Sequence, residues 1–305
     1  MMALRSLQRA ALPALMALAL LSSPSLAQQS YKSPEDAAAA LAAAVKSGPG
    51  DILKVLGRAA EDIVSSGDEV EDADIRKRFT AMYDQKHSIK TEGNKKATLL
   101  LGSDDFPFPI PLENTKAGWE FDTAEGRIEV LRRRIGRNEL DAIQTSLAYV
   151  DAQNEYADKD RGEGVGVYAQ RIVSTPGKKD GLFWRDDSDP SPLGPLAAEA
   201  SREGYRAGDI EPAPYHGYYF RILKGQGPDA PGGALNYVVK GKMIGGFAMI
   251  AWPADYGNSG VMTFLVNHNG VVYQKDLGAK TDFVAKRLTL FDPDQTWKKV
   301  DAAKP

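Results

Sequence analysis

The chain has 305 residues, 43% of them hydrophobic and 26% charged, with 38 lysines and arginines against 41 aspartates and glutamates. It has no cysteine, which excludes disulfides, thiol catalysis, thiolate zinc sites and iron–sulfur ligation together. A mildly acidic surface of mixed sign carries no footprint for nucleic acid.

Arg5 and Arg9 lead into an apolar run from Ala10 to Leu21, broken only by Pro13, and small residues follow to Ala27. Ser25 and Ala27 stand at the positions a signal peptidase reads. The run is shorter than the roughly 20 residues that cross a bilayer. The expectation is cleavage after Ala27 and a product that is periplasmic or secreted, with no membrane insertion and, lacking cysteine, no lipid anchor. The rest is expected to divide into an N-terminal α+β module over 28–122, a connecting basic helix over 123–137 and a C-terminal α+β module over 138–305.

Ser33-Pro34-Glu35-Asp36 predicts a helix start, with Ser33 as N-cap and Pro34 in the first turn. That helix runs through an alanine-rich stretch to Lys46 and stops at Gly48-Pro49-Gly50. Short helical patterns follow at 51–56, 60–64 and 72–83. After His87 the period shortens, and 88–91, 97–101 and 119–122 read as strands of a meander. Phe106 to Pro111 alternates with proline, so it is expected to form an edge strand or an extended loop. Helices followed by an antiparallel meander that closes on Gly-Trp-Glu-Phe-Asp resemble the nuclear-transport-factor-2-like cone, a fold that often holds a pocket.

Residues 123–137 predict a helix with Ile128, Leu131 and Ile135 on one face and five arginines around it. The arginines read as a solvated face paired with nearby acids rather than an anion site. Gly136 is expected to end that helix and Asn138 to cap another reaching Asp158, with Leu140, Ile143, Leu147 and Val150 buried. Beyond it, strands are expected at 218–223, 235–239, 247–252, 261–266 and 271–275. Asn267-His268-Asn269-Gly270 forms a hairpin turn between the last two.

A long helix, an irregular region and an antiparallel sheet resemble the heads of type IV pilins and pseudopilins. The phrases that carry the likeness are Gly217 to Phe220, Phe247 to Pro253 and Gly260 to Tyr273. Pilins keep an apolar N-terminal helix where this chain has a cleavable leader, so the likeness implies a scaffold and not filament assembly. Five further phrases, at 118–124, 135–139, 191–196, 214–219 and 245–248, resemble a bacterial exported family known as domain of unknown function 2950. That resemblance implies export and brings no reaction, ligand or catalytic residue.

The three histidines, His87, His216 and His268, show no metal-ligand spacing. No nucleophile elbow, phosphate loop or dinucleotide fingerprint occurs, and no cofactor is expected. Asp158, Asp160 and Glu163 begin like a calcium loop but lack its third carboxylate and its distant bidentate glutamate, so no metal is favoured. Asp186, Asp187 and Asp189 form a second acidic loop. The ligand-binding candidates are Trp184, Tyr215, His216, Tyr218, Trp252 and Tyr256, which suit stacking on a sugar or peptide and suit a protein core equally well.

The expected function is a non-catalytic binding or assembly-accessory role toward an envelope protein or polymer. The alternative is a hydrolase of an envelope polymer that uses Asp/Glu acid–base chemistry. The two differ in what converges in space. An enzyme should bring two acids into one cleft, at least one desolvated with a raised pKa. A binding module should show an open aromatic or strand-edge surface without such a pair.

Overall fold

A computed structural model describes residues 28–186, 188–203, 205 and 213–301. The leader expected over 1–27 and Asp187 of the second acidic loop lie outside the described residues. The fold is α+β. Among the described residues, no helix is long and apolar enough to cross a membrane.

Helix α1 (Pro34–Ser47) starts where its cap predicts, with the Ser33 hydroxyl accepting the Asp36 amide at 3.0 Å. Then follow α2 (Pro49–Leu56), α3 (Glu61–Val64) and α4 (Glu69–Gln85). The meander consists of β1 (His87–Glu92), β2 (Lys96–Leu101), β3 (Phe106–Pro107), β4 (Leu112–Thr115) and β5 (Gly118–Phe121). Its order is β1-β2-β4-β5, and β3 pairs with the end of β2 as a two-residue edge piece. Strand β4 escapes the sequence reading because Glu-Asn-Thr has a polar composition and only Leu112 is buried. Leu41, Ile52, Val55, Leu112 and Phe121 form the core between helices and sheet.

The expected break near Gly136 is absent. A single helix, α5 (Thr123–Ala157), runs 35 residues through it. A glycine inside a helix costs about 1 kcal/mol relative to alanine, and anchors on both sides of Gly136 outweigh that cost. Arg134 donates to the carbonyls of Asp62 and Ile63 at 2.8 and 2.7 Å. The Asn138 amide donates to the Ser259 carbonyl at 2.9 Å instead of capping a helix.

The expected apolar face of α5 is corrected at Ile128 and Leu140, which are exposed, while Val150 is buried and Leu131, Ile143 and Leu147 pack against the cores half-buried. The buried face carries Ala142, Ser146, Tyr149, Gln153 and Tyr156. Its small residues let the helix lie close on the second sheet, where the Tyr149 hydroxyl donates to the Ala248 carbonyl at 3.1 Å.

After α5 come α6 (Gly194–Glu203), β6 (Tyr218–Leu223), the ribbon β7 (Gly225–Gln226) with β8 (Leu235–Asn236), and the ribbon β9 (Val238–Val239) with β10 (Lys242–Met243). Strands β11 (Ala248–Pro253), β12 (Met262–Asn267) and β13 (Tyr273–Asp276), helix α7 (Thr281–Ala285) and strand β14 (Lys298–Lys299) complete the chain. The sheet order is β14-β13-β12-β11-β6, antiparallel throughout. Its core is a second cluster that includes Tyr149, Tyr218, Phe247, Ile250, Phe264 and Phe291.

Candidate functional site

Three helices meet beside the start of β6, and each presents polar groups at helical spacing. Glu71 and Arg78 come from α4, Arg137 and Asp141 from α5, and Glu199 and Glu203 from α6. Offsets of three, four and seven residues place such side chains on one helix face. Together with Tyr205, Tyr215 and His216 they line a cleft of about 450 Å³.

The cleft is organised by Asp68, which is almost fully buried. One carboxylate oxygen accepts the amides of Val70 and Glu71 at 3.1 Å and caps α4. The other accepts the Tyr205 hydroxyl at 2.8 Å and the Gly217 amide at 3.1 Å. His216 and Gly217 both have positive φ, 47° and 72°. A non-glycine residue held in the left-handed region often belongs to a functional site. The His216 amide meets the Tyr205 oxygen at 3.3 Å.

The turn sets the imidazole among three carboxylates. Nδ1 lies 3.8 Å from Glu71 and 3.9 Å from Asp141, and Nε2 lies 3.4 Å from Glu203. Burial alone would lower the His216 pKa, but Glu71, Asp141 and Glu203 outweigh it and hold the value above the ordinary one. Burial alone would raise Glu71, yet His216, Arg137 and Arg78 hold its carboxyl below the usual range. Arg137 approaches Glu71 to 2.7 Å and Arg78 to 3.3 Å.

Asp141 and Glu203 go the other way. Desolvation raises both, only partly offset by His216. Burial, then Asp68, pushes the Tyr205 phenol far up, so it stays a neutral donor. The site thus holds an anchored anion (Glu71), a stabilised imidazolium (His216) and two carboxyls that keep their protons to higher pH than usual.

Of the six ligand-binding candidates, two reach the cleft, Tyr215 and His216, with ring centroids 4.2 Å apart. Tyr218 is fully buried and donates to the Met262 carbonyl at 2.9 Å. Trp252 lies in β11 and donates to Asp282 at 3.2 Å. Trp184 is buried under the Arg161 guanidinium, 4.8 Å from its ring. Tyr256 bonds Asp276 at 3.0 Å on another face.

In the calcium-like loop, one Asp160 oxygen is taken up by the amides of Gly162 and Gly164, both at 2.8 Å. In the second acidic loop Lys179 binds Asp186 and Asp189 at 3.0 and 2.7 Å. Among the described residues no group of three His, Asp or Glu side chains is arranged to hold a metal ion.

The sequence reading missed Glu71, Asp141, Glu203, Tyr205 and Asp68. The available signal was a polar stripe at 137, 141, 144 and 145 along α5, which resembles an ordinary solvated helix face.

Residues 28–300 match the model of a family described as a protein of unknown function (DUF2950). No curated protein and no solved structure matches the chain.

Proposed function

We propose, for this chain that belongs to the DUF2950 family of proteins of unknown function, that it acts outside the cytoplasm as a hydrolase of an envelope polymer, with its acid–base centre at His216. One observation carries this reading: Asp141 and Glu203, both with raised pKa, flank one imidazole in one cleft. That convergence favours an enzyme over a binding module. The scattered aromatic candidates support the same choice, because they form no shared platform.

The roles follow from charge. Glu71, ionised and clamped by Arg78 and Arg137, positions His216. His216, whose protonated form the three carboxylates favour, serves as general acid. Asp141 or Glu203 serves as general base, its raised pKa making it a stronger base once ionised. A water gives a proton to that carboxylate while its oxygen attacks the scissile carbon. The bond to the leaving oxygen or nitrogen breaks, and the leaving atom takes the proton from His216. Exchange with solvent returns both groups to their starting states.

The test incubates the mature protein with purified envelope polymer and follows the release of soluble reducing ends and amines. Whichever of Asp141→Asn and Glu203→Gln removes the base should lower release by about 10²–10⁴-fold, the range of general acid–base catalysis, and loss in neither would overturn the reading. Saturable binding with no release by the wild type would instead support the second reading, a binding module.

A further inference from the structure

A second cavity, of about 340 Å³, lies inside the N-terminal half among α1, α2, α4, β3 and the first turns of α5. Its wall is mainly apolar, with Leu41, Ile52, Ile75, Phe79, Met82 and Phe108 among the lining side chains. At the small end of the roughly 300–1,000 Å³ that ligand pockets span, it takes a single acyl chain. Five arginines, 76, 78, 133, 134 and 137, also line it, against one carboxylate, Asp72.

Three of those cations already contact a carboxylate, and a fourth, Arg76, is only half-buried. Arg78 and Arg137 pair with Glu71, and Arg133 pairs with Glu129 at 2.7 Å. Arg134 is different. Its side chain is 4% exposed, and its two terminal nitrogens bond only neutral oxygens, of Asp62, Ile63 and Asn258. Its Nε, also buried, has no hydrogen-bond partner. A buried cation with a free donor and no carboxylate in contact is unfavourable unless an anion completes it. The arginine helix is therefore a paired, solvated face at 127, 132, 133 and 137, and something else at 134.

We infer that this cavity binds a single-chain anionic amphiphile, its acyl chain among the apolar side chains and its carboxylate or phosphate monoester against the Arg134 guanidinium. The apolar wall supplies the hydrophobic part of the affinity. The head group accepts the donor that Arg134 leaves open, a charge-assisted bond that a neutral alcohol cannot reproduce in strength. This cavity adjoins the cleft at His216, with Arg78 and Arg137 in both linings, but the inference uses neither arginine, so it stands whether or not that cleft is catalytic.

Calorimetric titration of the mature protein with decanoate, decyl phosphate and 1-decanol tests it. The expected result is saturable binding of at least one anion, with decanol weaker by about tenfold or more. A preference between the two anions tells a fatty acid from a phosphate head group, and either one supports the inference. Arg134→Met should remove the preference for anions over decanol while leaving chain binding. Ile75→Trp, which fills the cavity without touching the charge, should abolish binding of all three in a chain whose circular dichroism is unchanged. Should Arg134→Met not fold, the wild-type comparison and Ile75→Trp still decide. The inference is overturned if decanol binds as well as both anions, if no compound gives saturable heat, or if folded Ile75→Trp binds like the wild type.

Discussion

The backbone amide of Gly217 donates to the carboxylate of Asp68 at 3.1 Å, across 149 residues of sequence. The same carboxylate caps α4, so one buried anion ties the helix that carries Glu71 to the turn that carries His216. The cleft therefore depends on a hydrogen-bonding centre that takes no part in the proposed chemistry.

Asp68→Ala should lower stability by about 2–4 kcal/mol. The loss combines a helix cap, typically about 1 kcal/mol, with buried bonds to a charged acceptor at roughly 1.5–3 kcal/mol each, only partly additive. Denaturant unfolding measures it. A change below about 0.5 kcal/mol would show that the Asp68 centre does not hold the two halves.

Two glycines should respond in opposite directions. At Gly217, φ is 72° and an added Cβ would lie 2.5 Å from the Asn138 amide nitrogen. Gly217→Ala should therefore destabilise by about 1–3 kcal/mol. At Gly136, inside α5, a Cβ meets nothing within 4 Å. Gly136→Ala should stabilise by about 0.5–1 kcal/mol through helix propensity. Thermal melts of the two variants compare the strained site with the open one.

The pH dependence of stability should carry the signature of His216. Its folded pKa is raised, so the stability it contributes is complete below about 6.5, the ordinary value, and is lost as pH rises through the folded pKa. Glu71 has the opposite sign. Its contribution is present above the ordinary carboxylate value and is lost as pH falls through its lowered folded pKa. Raised Asp141 and Glu203 oppose folding as pH rises above the ordinary carboxylate values. Tyr205 and Tyr215, pushed up by burial, stay neutral throughout. His216→Asn keeps a residue that tolerates positive φ and should flatten the fall in stability above about pH 6.5. An unchanged slope in chemical denaturation at a series of pH values would remove His216 from the ion network.

The mature protein should begin at Gln28. Intact-mass spectrometry of the envelope fraction checks this, and a chain that retains Met1 or carries an acyl group would contradict cleavage after Ala27.

Local structure was readable where the cause is local. Ser33 and Pro34 announce α1, the shift from helical to alternating period near His87 marks the meander, and Asn267 to Gly270 turns one strand into the next. Each depends on a few neighbouring residues and their backbone preferences. The reading failed at Gly136, where a local helix-weakening signal met anchors supplied by Asp62, Ile63 and Ser259, all distant in sequence. It failed again at Leu140, because which face of α5 is buried depends on what lies beside it.

What the sequence determined by itself is the α+β class, the lack of any thiol chemistry and the family, since composition, periodicity and contiguous phrases are properties of the chain alone. The cleft is a different kind of fact. Glu71, Asp141, Glu203 and His216 sit on three helices and a turn, and each in isolation is an ordinary polar residue on an amphipathic or irregular segment. Only folding removes water from them and brings the three carboxyls within 4 Å of the imidazole. Desolvation and proximity, the two causes that shift their pKa values, exist only in the tertiary structure, and so does the burial that singles out Arg134 among five similar arginines.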